Sequence, residues 1–395
     1  MSRRSRNRLV RQAVTRRQFL GRAGAFTGAV VLGPSILAAC GGDDDDDASG
    51  GGDGGGDGQE IRISNWIEYI DENQELVAAS AAAIGASVDY IEDINDNNEY
   101  FATVLQPNLA QGNSPNRDGF IVTDWMAARV IDLEWVQELD KAVAPDLVNV
   151  RAALSDPPWD AGRTFSIPWQ TGMTGIAYNL EVTGRELTSM SDLLDPAFAG
   201  RVTFLTEMRD TVGLFMLLDG QDPSTATYDN AQGAFELIQD AKDSGQLRGF
   251  TGNEYVNDLS TGNLAACIAW SGDVAQLSLD EPNIRFVVPS DGGMLWSDNF
   301  LIPITSDNAT LASEWINFFY DPVNAAQLTM AIQYVSPVEG VADELRKLGD
   351  DGIALAENAL VVPDEATLSQ VHIFVGLDEE QEQLFDERFA EIAGA

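Results

Sequence analysis

A tryptophan and an aspartate two residues apart, Trp296 and Asp298, stand in the stretch 292–303, which reads Gly-Gly-Met-Leu-Trp-Ser-Asp-Asn-Phe-Leu-Ile-Pro. In extended chain, residues i and i+2 point to the same face. A π-face and an anion then converge on one spot. That combination suits an organic ammonium ion, because the ring quadrupole attracts the cation and the carboxylate neutralises it. A buried tryptophan beside a solvated aspartate would read the same way. The pairing recurs, however, at Trp66/Glu68/Tyr69, at Asp124/Trp125 and at Trp270/Asp273.

The balance of charge points in the same direction. The 395 residues include 63 acids, 23 bases and a single histidine, His372. Eight of the bases (Arg3, Arg4, Arg6, Arg8, Arg11, Arg16, Arg17 and Arg22) fall in the first 40 residues, which hold no acid, so 15 bases face all 63 acids beyond them. Such a surface repels nucleic acid and anionic lipid, and it attracts cations. Solubility in a salty habitat is the other reading of the same charge. One histidine and two cysteines, Cys40 and Cys267, argue against histidine-based catalysis, a His/Cys zinc site and a disulfide framework. Nothing in the chain asks for a metal or another cofactor. Cys267 lies in an apolar run and reads as a buried, inert thiol.

The N-terminus reads as an address. Residues 1–22 are arginine-rich and 23–39 are small and apolar, too short and too broken by Gly and Pro for a membrane span. Thr15-Arg16-Arg17-Gln18-Phe19-Leu20 looks like a twin-arginine export signal, and Leu37-Ala38-Ala39-Cys40 resembles a lipobox, in which the cysteine is acylated after cleavage. Region 1–40 is therefore expected to be a signal, with Cys40 as lipid anchor. Region 41–59, nearly all Gly and Asp, is expected to be a self-repelling tether.

Beyond the tether, the elements that must position the acids and rings alternate. The patterns predict strands at 60–65, 87–91 and 120–123, with helices at 75–84, 98–105 and 125–133. This alternation implies a parallel sheet. An extended crossing interrupted at Gly172 covers 166–179. A second α/β run follows, with strands at 202–205, 264–270 and 284–288 and helices at 211–218, 230–244 and 271–279. The chain then crosses back at 296–303, forms helices at 310–320 and 324–333 with Pro322 between them, returns again at 334–337 and ends in a helix at 379–392. The expectation is an α/β, two-lobed clamshell with extended hinge crossings. Lobe 1 is expected at 60–172 plus 299–342, and lobe 2 at 173–298 plus 343–395. The acidic aromatic clusters fall at strand ends, where such folds present ligand contacts.

From about residue 61 to 392 the chain resembles the periplasmic spermidine/putrescine-binding proteins of polyamine ABC importers. The stretches 65–69, 93–101, 139–141, 166–179, 193–200, 269–273, 292–303, 315–318 with Asp321-Pro322, and 334–337 carry the likeness. It implies a periplasmic-binding-protein fold and a monomeric, lipid-anchored receptor that captures putrescine or spermidine and passes it to permease subunits. It also implies roles for single residues. Trp66, Glu68 and Tyr69 would hold one amine, and Thr123 and Trp125 would line the same lobe. Glu207 and Asp210 would grip amines from the second lobe. Trp270 and Trp296 would sandwich the methylenes, Asp298 would take an ammonium, Tyr334 would cap the cleft, and Asp273 matches an acid of the putrescine-selective branch. The chain departs from the family at Ile67, at Gly252 and near Val375, which leaves the preferred polyamine open.

Taken singly, each tryptophan reads equally well as core, and Glu207 and Asp210 as acids complementing a helix N-terminus. Other functions remain in view. Glu207 with Asp210, or Glu68 with Asp298, could be the paired carboxylates of a carbohydrate-active surface lipoprotein. A clamshell receptor for another cationic solute, or a sensor that does not transport, would use the same architecture. Ferric iron would favour adjacent tyrosines, and Tyr334 has no tyrosine beside it.

Overall fold

The computed structural model describes residues 59–374 and 376–394. The twin-arginine stretch, the lipobox, Cys40 and Val375 lie outside the described residues. Alternating Ile61 and Ile63, both fully buried, make 60–66 a strand with one face in the core. This is β1 (Glu60–Trp66). Helix α1 (Glu75–Ile84) follows, its first amides held by the Asp71 carboxylate at 2.6 and 3.0 Å. Strand β2 (Ser87–Ile94) comes next. Helix α2 starts at Asn97–Tyr100, widens into a π-turn over Phe101–Leu105 and ends at Gln106–Leu109. It outruns the expected end at 105 because the π-turn precedes Pro107, which has no amide to give.

Strand β3 (Gly119–Thr123) runs directly into α3 (Asp124–Asp132), and β4 (Val136–Gln137) follows. Phe120 and Val122 of β3 pack into a small cluster with α2 and α3, while Ile121 between them faces the main core. Next come β5 (Ser166–Asn179), β6 (Val202–Leu205), α4 (Met208–Leu218), α5 (Gln232–Asp243), β7 (Leu247–Thr251), α6 (Tyr255–Ser260), β8 (Ala266–Trp270), α7 (Ser271–Asp280) and β9 (Ile284–Val287). The chain closes with β10 (Gly293–Pro303), α8 (Ala309–Phe318), α9 (Pro322–Ile332), β11 (Val371–His372) and α10 (Glu379–Ala393). Pro322 opens α9 instead of separating two helices. Its missing amide costs nothing in a first turn, and Asp321 caps the next one at 2.8 Å.

The sheet order is β2-β1-β3-β10-β5-β8-β6-β7, with β4 and β11 against β10 and β9 against β5. It is mixed, not parallel as expected. Its flanks are parallel, in the pairs β1/β2, β1/β3, β6/β7 and β6/β8. The middle is antiparallel, because two returning strands occupy it: β10 pairs with β3 and β5, and β5 pairs with β8 and β9. Each long strand joins one flank to the other long strand. β10 meets β3 only through Asp298–Leu301, and β5 meets β8 only through Thr174–Tyr178. Gly172 does not interrupt β5, whose 14 residues are all buried. A Cβ there would lie 2.3 Å from the Trp296 ring, so this glycine is the seat of that indole. Cys267 is a buried free thiol, and burial pushes its pKa well up, as an inert thiol requires.

Candidate functional site

The parallel strands deliver their C-terminal ends to one place. Trp66 ends β1, with Glu68 and Tyr69 in the turn that follows. Thr123 ends β3, and Asp124 and Trp125 open α3. Glu207 and Asp210 mark the entry to α4, while Trp270 ends β8 and Asp273 lies in the first turn of α7. Trp296 and Asp298 project from β10 where it passes between the flanks, and Tyr334 follows α9. All thirteen residues line one cavity. Its volume is about 70 Å³, room for a slender molecule on a scale where one water needs roughly 10–15 Å³. Glu68 adopts φ 58, a left-handed conformation that costs a non-glycine residue roughly 1–3 kcal/mol and clusters at functional positions.

The carboxylates in this cavity are held by neutral donors. Asp273 accepts from the Asn253 amide and the Tyr255 hydroxyl, both at 2.7 Å, and from the Tyr334 hydroxyl at 3.0 Å. Asp210 accepts from the Thr174 hydroxyl and the Trp270 indole, each at 2.8 Å. Asp298 accepts from the Thr123 hydroxyl at 2.8 Å. Among the described residues, none of the three has an ion pair. Burial pushes Asp298 up to about 7 and Asp210 up to about 6; it also pushes Asp124 up to about 6, against the Trp125 amide and the attraction of Arg209 and Arg163. Glu207 is also raised, by burial first and then by the charges of Asp96 and Asp210. It is already engaged by Asn97, whose side-chain amide lies at 3.1 Å and whose backbone amide lies at 3.3 Å.

The rings form the walls. Tyr69 meets Tyr334 edge-on at 5.0 Å, and Trp296 lies 5.8 Å from Tyr334. Gly272 gives Tyr334 its place as Gly172 does for Trp296, since a Cβ would come within 2.4 Å of the ring. The Trp296 indole donates to the Thr174 hydroxyl at 3.0 Å, and that hydroxyl donates on to Asp210, so one threonine orients a wall and an acid together. The Trp66 indole N–H is buried without a hydrogen-bond partner among the described residues, while the buried Tyr69 hydroxyl faces the Asp298 carboxylate. Trp125 differs from the other walls. The guanidinium of Arg209 covers its ring at 3.6 Å, and Arg209 also pairs with Glu382 of α10.

Sequence reasoning missed Thr174, Asn97, Asn253, Tyr255 and Arg209. Asn97 and Thr174 stood inside stretches that carried the family likeness, and Asn253 follows the noted departure at Gly252. Arg209 stands between the two acids selected at 206–210, where a lone base was the signal.

A model of the bacterial extracellular solute-binding protein family matches residues 75–356. The chain belongs to that family. Spermidine/putrescine-binding periplasmic protein 1 of Haemophilus influenzae is 26% identical over 275 residues, covering 69% of this chain and 74% of the relative. The putrescine-binding periplasmic protein PotF of Escherichia coli is 26% identical over 296 residues, covering 70% and 77%. Among solved structures, the spermidine/putrescine transporter substrate-binding protein PotD of Streptococcus pneumoniae superposes with a TM-score of 0.69 at 23% identity, covering 85% of this chain and 98% of its own. The lipoprotein Tp0655 of Treponema pallidum superposes with a TM-score of 0.72 at 17% identity, covering 85% and 100%. The fold is the two-lobed clamshell of the periplasmic binding proteins, with β5 and β10 as its extended crossings. A family of solute receptors leaves no place for the paired-carboxylate enzyme.

Proposed function

We propose that this protein is an extracytoplasmic receptor that captures a polyamine, putrescine or spermidine, and delivers it to the permease of an ABC importer. One observation carries the reading. Asp210, Asp273 and Asp298 are buried among aromatic rings, and each is satisfied by neutral donors only. Three desolvated anions without a cation are costly, and a ligand ammonium supplies what is missing. The methylenes of such a ligand need flat apolar walls, which Tyr69, Trp270, Trp296 and Tyr334 provide, with cation–π attraction of roughly 0.5–2 kcal/mol per contact. Relatives named for spermidine and putrescine support the same ligand class.

Calorimetry with putrescine, spermidine, spermine and cadaverine tests the reading, with a neutral sugar and an amino acid as controls. Saturable heat with at least one polyamine and none with the sugar is expected. The reverse pattern refutes it.

The rest of the proposal concerns placement and movement. Residues 60–172 plus 299–342 form one lobe and 173–298 plus 343–395 the other, and they close on the ligand about β5 and β10. Saturating polyamine should then lower the radius of gyration in solution scattering. Export by the twin-arginine route and acylation at Cys40 hold the monomer at the outer face of the cytoplasmic membrane. Cys40→Ser should release the protein from the membrane fraction, and unchanged membrane association would refute the anchor.

A further inference from the structure

Asn97 opens α2 and is fully buried, yet the helix does not use its side chain. Asp96 is the cap, accepting from the Glu99 amide at 3.0 Å. The Asn97 amide points elsewhere. Its Oδ1 accepts from the Thr123 backbone N–H at 3.1 Å, and its Nδ2 donates to the Thr123 hydroxyl at 2.9 Å. Nδ2 also donates to Oε1 of Glu207 at 3.1 Å, and the Asn97 backbone N–H meets the same oxygen at 3.3 Å. A side-chain amide has two N–H donors and one carbonyl, and here each is engaged.

These bonds join distant parts of the fold. Asn97 follows β2 and Thr123 ends β3, both within the proposed lobe 60–172. Glu207 stands at the entry to α4, within the proposed lobe 173–298. Thr123 donates on to Asp298 of the crossing strand β10 at 2.8 Å. A relay therefore runs Glu207–Asn97–Thr123–Asp298, with a carboxyl group at each end and neutral groups between. Both end groups line the cavity. Both Asn97 contacts fall on Oε1 of Glu207, so Asn97 does not occupy the second oxygen. Asp96 and Asp210 add negative charge around Glu207. Like charges push a carboxylate away unless donors hold it, and Asn97 supplies two.

We propose that Asn97 is a positioning residue for amine capture. It fixes Glu207 against the Thr123–Asp298 pair, which sets the spacing of the two acids and holds the clamshell closed on its ligand. This rests on the polyamine reading of the site. Asn97 acts through Glu207 and not by touching the amine. Its bond to Glu207 forms only when the two lobes meet, so it slows release and leaves entry unaffected.

The test is stopped-flow kinetics of putrescine binding, read by tryptophan fluorescence, on the full mature protein. Wild type, Asn97→Ala, Glu207→Ala and the double variant are compared, with calorimetry for affinity. Asn97→Ala is expected to speed dissociation by about tenfold or more and to change association by less than about threefold. In the Glu207→Ala background the same change is expected to alter dissociation by less than about threefold, because the group it acts through has gone. A purely structural Asn97 would lower the melting temperature and give the same factor in both backgrounds, and that result overturns the inference. An unchanged dissociation rate in Asn97→Ala overturns it too, as does a loss carried by association. The split between the two rates in Asn97→Ala decides alone if Glu207→Ala leaves no measurable binding. If Asn97→Ala does not fold, Asn97→Ser takes its place with the same expectation, since a serine is too short to span from Thr123 to Glu207. Each of these failures leaves the polyamine reading intact, because the wild type still binds. Absence of heat with every amine in wild type refutes the polyamine reading and this inference with it.

Discussion

On the outer surface, Asp192 and Asp195 face the Arg185 guanidinium at 2.7 and 2.9 Å, whereas Asp210 and Asp298 in the cavity face only hydroxyl and N–H groups of neutral side chains. The two sets of carboxylates titrate in opposite directions. Burial works against Asp192, but the Thr188 amide and Arg185 outweigh it and its pKa falls. Asp195 is lowered by the Ala197 amide and by Arg185. Asp298 and Asp210 are pushed up by burial that nothing charged offsets. At Arg185 the chain supplies a cation to two surface carboxylates from within, whereas among the described residues it supplies no ion pair to Asp210 or Asp298 in the cavity. On the proposed reading the ligand supplies that cation, and the cost of desolvating the empty site's carboxyls then sets part of the affinity.

The comparison breaks first at Asp298. Asp298→Asn keeps the shape and the Thr123 contact but removes the charge. Polyamine affinity should fall by roughly 2–5 kcal/mol, or about 30- to several-thousand-fold. The ligand-free protein should melt no lower than wild type, because a desolvated anion has gone. Calorimetry and thermal melting of the same preparation check both halves. Wild-type affinity in this variant would mean that the ammonium lies elsewhere.

A smaller effect follows from pH. A carboxyl whose folded pKa lies above its unfolded value binds more protons in the fold. Its stabilisation is complete below the unfolded pKa, roughly 4, and is lost as pH rises through the folded value. For Asp298 that value is about 7, and for Asp210 about 6. The empty protein should therefore lose stability between about pH 4 and 7 on account of these groups. Bound ammonium favours the ionised forms, so affinity should rise over the upper part of the same window, with protons released on binding. Calorimetry in two buffers of different ionisation heat reads that release at pH 6, and no release would contradict the assignment.

How much of this was legible depends on what each residue type can mean. The acids and rings were legible because ammonium chemistry demands those types, and the alternation around 60–133 placed them at strand ends. Their neutral partners were not. Thr174, Asn97 and Tyr255 look like any polar residue until the fold aims them at Asp210, Glu207 and Asp273. Gly172 was misread as a break because a glycine in a strand marks either a bend or a close approach, and only the Trp296 ring decides between them. Strand β7 and helix α6 escaped notice because Leu247–Thr251 is only half-buried and carries Arg248 and Gly249, which blurs any period. The parallel sheet was expected from local alternation. Long-range pairing of β5 with β10 is a contact no local pattern encodes.

The smallest expected effect is at the other pole of the comparison. Arg185 is largely exposed, and its pairs with Asp192 and Asp195 lie in water. Exposed ion pairs gain little because solvent screens them and ordering two side chains costs entropy. Arg185→Ala should shift the melting temperature by about 2 °C or less, and 0.5 M salt should erase most of that shift. Polyamine affinity should stay within about twofold of wild type, since the pair takes no part in the cavity. The same salt should leave most of the Asp298→Asn loss in place, because a buried charge contact is screened far less than an exposed one. If Arg185→Ala weakened binding as much as Asp298→Asn, the attraction would come from the diffuse field of the acidic surface. The division between completed and uncompleted carboxylates would then have no bearing on ligand capture.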